Sequence, residues 1–136
     1  MASIASWRSR VPTRVLLSVK PRFAQAILDG TKRFEFRRAL YRCPNVHTVV
    51  LYASSPVQRV IGEFSVAAVL ALAPDALWRA THRYAGIDRD YFDAYFGGRD
   101  IGFALKVGST RRYRTPLSLR RDLRIAVPPQ SFCYLN

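Results

Sequence analysis

Residues that bind metals or staple a fold are scarce in this chain. It carries two cysteines, Cys43 and Cys133, and two histidines, His47 and His82, in 136 residues. The cysteines stand far apart and in no metal-ligand spacing, so no metal site and no cofactor are expected. No apolar run approaches the span of a bilayer, which excludes a transmembrane helix from the expectation. The first dozen residues hold Trp7, Arg8 and Arg10 but no apolar core like that of a secretory signal. Two reduced thiols and a cytoplasmic location follow as expectations. Acidic residues are few as well, 9 against 22 Lys and Arg, for a formal net charge of +13.

Apolar residues make up 49% of the chain and are spread along its length, which predicts a globular protein. The length suits one domain with one core. Residues 1–13 read as a flexible tail, and 14–136 as the domain. Nineteen of the 22 basic residues are arginine. Arginine presents a planar, bidentate fork suited to phosphate and base edges. A GC-rich genome would explain Arg in place of Lys, but not the excess of cations. A polyanionic partner is expected.

Arg14–Lys20 reads as a first strand. Pro21–Asp29 has helical spacing at Phe23, Ala24, Ile27 and Leu28, and Gly30 is its stop. Arg33–Arg38 alternates, with Phe34 and Phe36 on one face and Arg33, Glu35 and Arg37 on the other, as in a half-buried strand. Val46–Ala53 and Gln58–Leu72 read as strands joined at a Ser54-Ser55-Pro56 turn, with Gly62 a bend or bulge. Both faces of the second are largely apolar, which points to a barrel or a covered sheet. Asp75–Tyr84 and Asp88–Phe96 read as short helices, the second capped by Asp88. Two further strands are expected at Ile101–Val107 and Tyr113–Leu117, with Gly108-Ser109-Thr110 turning between them. Ser118–Leu123 reads as a short turn or helix, and Ser131–Leu135 as a final edge strand.

Five sets of residues carry potential chemistry. Glu35 and Arg37 share a strand face. Lys32 joins them only if it sits on the turn before the pleat begins. The set reads either as a carboxylate and cations aimed at a ligand, or as an exposed strand face laced with ion pairs. Ser54 and Ser55 suit phosphate oxygens as well as ordinary turn bonding. Glu63, in an otherwise apolar strand, is a cleft carboxylate paired with an arginine or simply a strand-end charge. Tyr91 and Tyr95, like Phe92 and Phe96, fall at i and i+4. The phenylalanines suit the core, and the tyrosines either stack an unpaired base or help plug a barrel end. Arg111, Arg112, Arg114, Arg120, Arg121 and Arg124 suggest a phosphate-binding rim, extended by Arg33, Arg38 and Arg42.

The spacing Gly30-x-Lys32-x-x-Glu35-x-Arg37 resembles the signature of ASCH domains. Ser18-Val19-Lys20-Pro21 is similar to the opening of that family. Leu51-Tyr52-Ala53-Ser54-Ser55-Pro56, Gly62-Glu63-Phe64, Tyr91-Phe92-x-x-Tyr95-Phe96-x-Gly98-Arg99 and Pro128-Pro129-Gln130-Ser131-Phe132 resemble a bacterial branch of it. The resemblance implies an α+β, PUA-like small mixed β-barrel with short helices covering a cleft. It implies binding of nucleic acid, RNA more than DNA, with a role in transcription regulation or RNA processing. It places Lys32, Glu35 and Arg37 toward the ligand, with Lys20 as a neighbour. Some similar proteins deacetylate a modified cytidine with a threonine three residues after the motif lysine. Glu35 holds that position here and Thr31 precedes Lys32, which argues against that activity. Others are ribonucleases, for which Lys32, Glu35, Ser54, Ser55 and nearby tyrosines are the candidates. The expectation is therefore recognition of RNA or a modified nucleotide, with a metal-independent ribonuclease or nucleoside hydrolase as the alternative.

Overall fold

The computed structural model describes residues 11–135. The expected tail, apart from residues 11–13, lies outside the described residues. Six strands form one sheet: β1 Arg14–Val19, β2 Phe34–Arg37, β3 Thr48–Ala53, β4 Arg59–Leu72, β5 Gly102–Leu117 and β6 Phe132–Leu135. Their order is β2-β5-β4-β3-β1-β6. The helices are α1 Pro21–Asp29, α2 Pro74–Thr81, α3 Arg89–Phe96 and α4 Leu119–Leu123, with a 3-10 turn at His82–Tyr84. β1 pairs β3 in parallel, because α1 and β2 intervene as a crossover, while the other pairings are antiparallel. The sheet curls into a half-barrel, and the fold is α+β and PUA-like.

The local signals act as their chemistry dictates. Pro21 fills the first turn of α1, and Gly30 ends it at φ +90°. Asp88 caps α3 by accepting from the Tyr91 amide at 2.8 Å. Ser54-Ser55-Pro56 turns the chain between β3 and β4, whose register slips at Leu51/Tyr52 opposite Gly62. α1 lays Ala24, Ile27 and Leu28 on a core with Val15, Leu17, Val49, Leu51 and Leu105. A second cluster gathers Phe34, Phe36, Leu77, Phe92, Phe96 and Ala104 under α2 and α3. A third, with Leu16, Val50, Tyr52 and Val60, lies under Leu119 of α4. Cys43 and Cys133 are free thiols.

Two expectations need correction. The segments Ile101–Val107 and Tyr113–Leu117 are one 16-residue strand, with no turn at Gly108-Ser109-Thr110. There the Ser109 amide donates to Ser65 Oγ at 2.8 Å, and the β4–β5 register slips at Phe64/Val66 and Val66/Ala68. The irregularity is absorbed as a bulge between two long strands rather than as a reversal. Strand β2 is also not half-buried: Glu35 is only 5% exposed, like Phe34 at 8% and Phe36 at 6%. Its polar face is covered by parts of the chain remote in sequence.

Candidate functional site

The site begins where α1 stops. The amides of Thr31 and Lys32 both donate to the Ala26 carbonyl at 3.1 Å. This holds Lys32 on the turn before β2, outside the strand's alternation. Its side chain swings inward and is 1% exposed. The Nζ donates to the Ala85 carbonyl at 2.6 Å and lies 4.8 Å from the ring centre of Phe36 and 5.0 Å from that of Phe23. Burial pushes the Lys32 amine down to about 8, and the Glu35 charge opposes the shift.

Glu35 and Arg37 project from β2 into the same cleft. Arg37 Nη1 is 3.1 Å from Glu35 Oε2 and 3.4 Å from the Ser18 carbonyl. Its Nη2 donates to the Ser131 carbonyl at 3.1 Å and to Ser131 Oγ at 2.9 Å. One guanidinium thus ties β2 to the end of β1 and to the segment leading into β6. Ser18 Oγ secures that segment again by donating to the Pro129 carbonyl at 2.6 Å. The second carboxylate oxygen of Glu35 has no hydrogen-bond partner among the described residues, and Glu35 lines the cavity.

Helix α3 supplies the facing wall. Phe92 and Phe96 are buried in the core, while Tyr91 and Tyr95 line the cavity. Tyr95 donates its hydroxyl to the Phe36 carbonyl at 3.2 Å, and Arg38 covers its ring at 4.4 Å. Tyr91 packs edge-on to Phe23 at 5.4 Å, with Lys20 Nζ 5.4 Å from its ring centre. The cleft has a volume of about 380 Å³. It combines four cations, one carboxylate and four aromatic rings, a lining suited to a flat, polar, anionic ligand.

The cleft brings together Lys20, Lys32, Glu35, Arg37, Arg38 and Tyr91 from the sequence candidates. Ser54 and Ser55 do not line it; they lie at the β3–β4 turn, where the Ser54 amide donates to the Val19 carbonyl at 2.9 Å. Arg33 is exposed, with Nη2 3.5 Å from the Val107 carbonyl. Successive residues of β5 point to opposite faces, which divides the proposed rim. Arg111 pairs with Glu63 at 2.8 Å, Arg112 bonds Gln25 on α1, and Arg114 is exposed further along. Glu63 also accepts from the Tyr113 hydroxyl at 2.8 Å, so its partners are structural.

Ser18, Ile87, Gln130 and Ser131 line the cavity without having drawn notice as single residues, and Phe23 and Phe36, expected on the apolar faces of the first helix and the second strand, line it too. Gly86 lies between the His82–Tyr84 turn and α3. It packs on Lys32, where a Cβ would fall 2.6 Å from Lys32 Cγ. Its positive φ and its place beside the motif lysine are the only signals it offers. Among the described residues, no group of His, Cys, Asp and Glu is arranged to hold a metal ion. No helix among them is long and apolar enough to cross a membrane.

A curled sheet closed by Arg37 over a lysine-bearing cleft defines a PUA-like domain. The ASCH domain family matches residues 17–107, and the chain belongs to that family. An ASCH domain-containing ribonuclease of Zymomonas mobilis is 30% identical over 131 residues, covering 93% of this chain and 88% of the relative. The crystal structure of ASCH from Zymomonas mobilis superposes with a TM-score of 0.84 at 28% identity, covering 91% of this chain and 88% of the other. The large ribosomal subunit protein uL22 of Ureaplasma parvum is 28% identical over 122 residues; they are 90% of this chain but 39% of that protein.

Proposed function

We propose that the protein binds single-stranded RNA by taking one nucleotide, plain or modified, into the cleft. One observation carries this reading: Lys32, Glu35 and Arg37 face Tyr91 and Tyr95 across a cavity of about 380 Å³. Lys32 holds phosphate or a base edge together with the Nε–H of Arg37, whose Nη groups are taken by Glu35, Ser18 and Ser131, and the free oxygen of Glu35 accepts from a base amino group. The tyrosines offer a stacking surface that a paired base would not reach. The net charge of +13 supports a polyanionic partner. RNA is favoured over DNA by the relative named a ribonuclease, which favours RNA processing over transcription regulation as well. Two free thiols suit a reducing compartment such as the cytoplasm.

Filter binding of a short single-stranded RNA over rising salt tests the proposal. The expected result is affinity that falls steeply with salt and is lost in Arg37→Ala and Lys32→Ala. RNA affinity that is absent, or indifferent to both substitutions, would sink it.

A second reading is RNA cleavage, favoured by the Lys32 amine at about 8. A group that titrates near neutrality suits proton transfer. The neutral amine would take the proton from a ribose 2′-hydroxyl as the 2′-oxygen attacks the adjacent phosphorus. The P–O5′ bond breaks, and the ammonium returns the proton to the leaving 5′-oxygen. The products are a 2′,3′-cyclic phosphate and a 5′-hydroxyl, and the reaction needs no added reactant. Labelled RNA incubated with wild type and Lys32→Ala separates this from binding alone. A Lys32-dependent cyclic-phosphate end is the expected product, and its absence leaves recognition as the function.

A further inference from the structure

Beside the cleft lies a second one of about 310 Å³, bounded by Arg22, Ala26, Gly86 and Asp88. The two share Phe23, Ile87 and Tyr91 as a partition. Each has its own cation at the Tyr91 ring. Lys20 lines the first and stands 5.4 Å from the ring centre; Arg22 lines the second and stands 5.5 Å from it. Arg22 also lies 4.8 Å from the ring centre of Phe23. Among the described residues its guanidinium bonds no carboxylate or carbonyl, whereas Arg89, Arg111 and Arg121 are all ion-paired. It is held against rings with its donors unused. Asp88, which lines the second cleft, accepts from the Tyr91 amide through one oxygen, and its other oxygen has no hydrogen-bond partner among the described residues.

From this arrangement we propose that the second cleft binds the neighbouring nucleotide of the same RNA strand, so that the protein reads a dinucleotide step astride Tyr91 and Phe23. The proposal rests on the RNA-binding reading of the first cleft. Adjacent sites of similar size, each with an aromatic wall and a cation, match a polymer of repeating units. Arg22 takes the phosphate of the second nucleotide through its free fork. The free oxygen of Asp88 accepts from a sugar hydroxyl or a base amino group. Phosphate contact fixes the register of the strand, while the clefts read its bases.

Fluorescence anisotropy with single-stranded oligouridylates and oligoadenylates of one to four nucleotides tests the proposal, on wild type, Arg22→Ala and Arg37→Ala. Arg22 is exposed, so its removal leaves the fold intact. Wild-type affinity should rise about tenfold when the ligand grows from one nucleotide to two or three, the gain expected of one more stacked base and phosphate. Arg22→Ala should erase that rise while binding the mononucleotide as wild type does. Arg37→Ala should weaken every length. A mononucleotide that binds through Arg37 without any gain from the second nucleotide overturns the second cleft alone. A gain that survives in Arg22→Ala overturns it too. Failure of every length to bind overturns the first cleft and the second with it.

Discussion

Gly86 lies on Lys32 so closely that a methyl group in place of its hydrogen would fall 2.6 Å from Lys32 Cγ. It also holds φ at +70°, where a side chain is strained. Gly86→Ala is therefore expected to destabilise the protein by about 1–3 kcal/mol. Moving the ammonium off the Ala85 carbonyl should also weaken RNA binding about tenfold, the worth of one charge-assisted hydrogen bond. Thermal unfolding and RNA titration of the same variant check both effects. Wild-type values in both would show that the contact is not tight.

Arg37 should matter to stability as much as to binding. Its side chain is 12% exposed and that of Glu35 6%, so Arg37→Ala leaves a buried carboxylate without its partner. A loss of about 3 kcal/mol is expected from urea denaturation. Arg37→Lys should rescue little of it, because an ammonium cannot span Glu35, Ser18 and Ser131 together. Full rescue by lysine would mean that charge alone is needed.

The pH dependence of stability carries the signature of Lys32. Its folded-state amine titrates at about 8, below the ordinary 10.5. Between those values the unfolded chain binds the proton more tightly, so the free energy of unfolding rises with pH. Below 8 both states are protonated and the full cost of burial is present. The tyrosines Tyr41, Tyr95 and Tyr113, pushed up by burial, act in the opposite direction only above about 10. Lys32→Met should be more stable than wild type at pH 7, and its advantage should shrink by pH 10. An advantage that stays constant across that range would contradict a depressed amine.

Tyr91 separates shape from stacking. Tyr91→Phe keeps the ring and should bind RNA within about twofold of wild type, whereas Tyr91→Ala should lose about tenfold, the worth of one stacked base. Equal losses in the two variants would assign the contribution to the hydroxyl.

The β3–β4 turn offers a control. Ser54→Ala with Ser55→Ala alters a turn outside the cleft, and both RNA affinity and stability should change little, by about 0.5 kcal/mol or less. A larger loss of affinity would draw the RNA path over that turn.

The helix α1, its glycine stop and the alternation of β2 were legible because each depends on neighbours in sequence. So was the division of α3 into core phenylalanines and outward tyrosines. The burial of Glu35 was not legible, since the segment 129–131 and helix α3 that cover it lie about a hundred and about sixty residues away. Alternation assigns a face, not what lies over it. Gly108-Ser109-Thr110 has the composition of a turn, but pairing with β4 through Ser65 overrides it. Ser18 and Ser131 gave no sign individually, because a serine shows its partner only after the chain has folded.

The clamp made by Arg37 bears on how the protein behaves in company. The two strands at the sheet's margins, β2 and β6, are only four residues long. Arg37 reaches from the end of the first to Ser131 just ahead of the second. Short, tied margins offer little template for strand addition by another copy. Polyanions that neutralise a strongly cationic surface draw copies together, and that is when such protection counts. Arg37→Ala should therefore scatter more light than wild type when a polyanion that does not enter the cleft, such as heparin, is added. Equal scattering would locate the protection elsewhere.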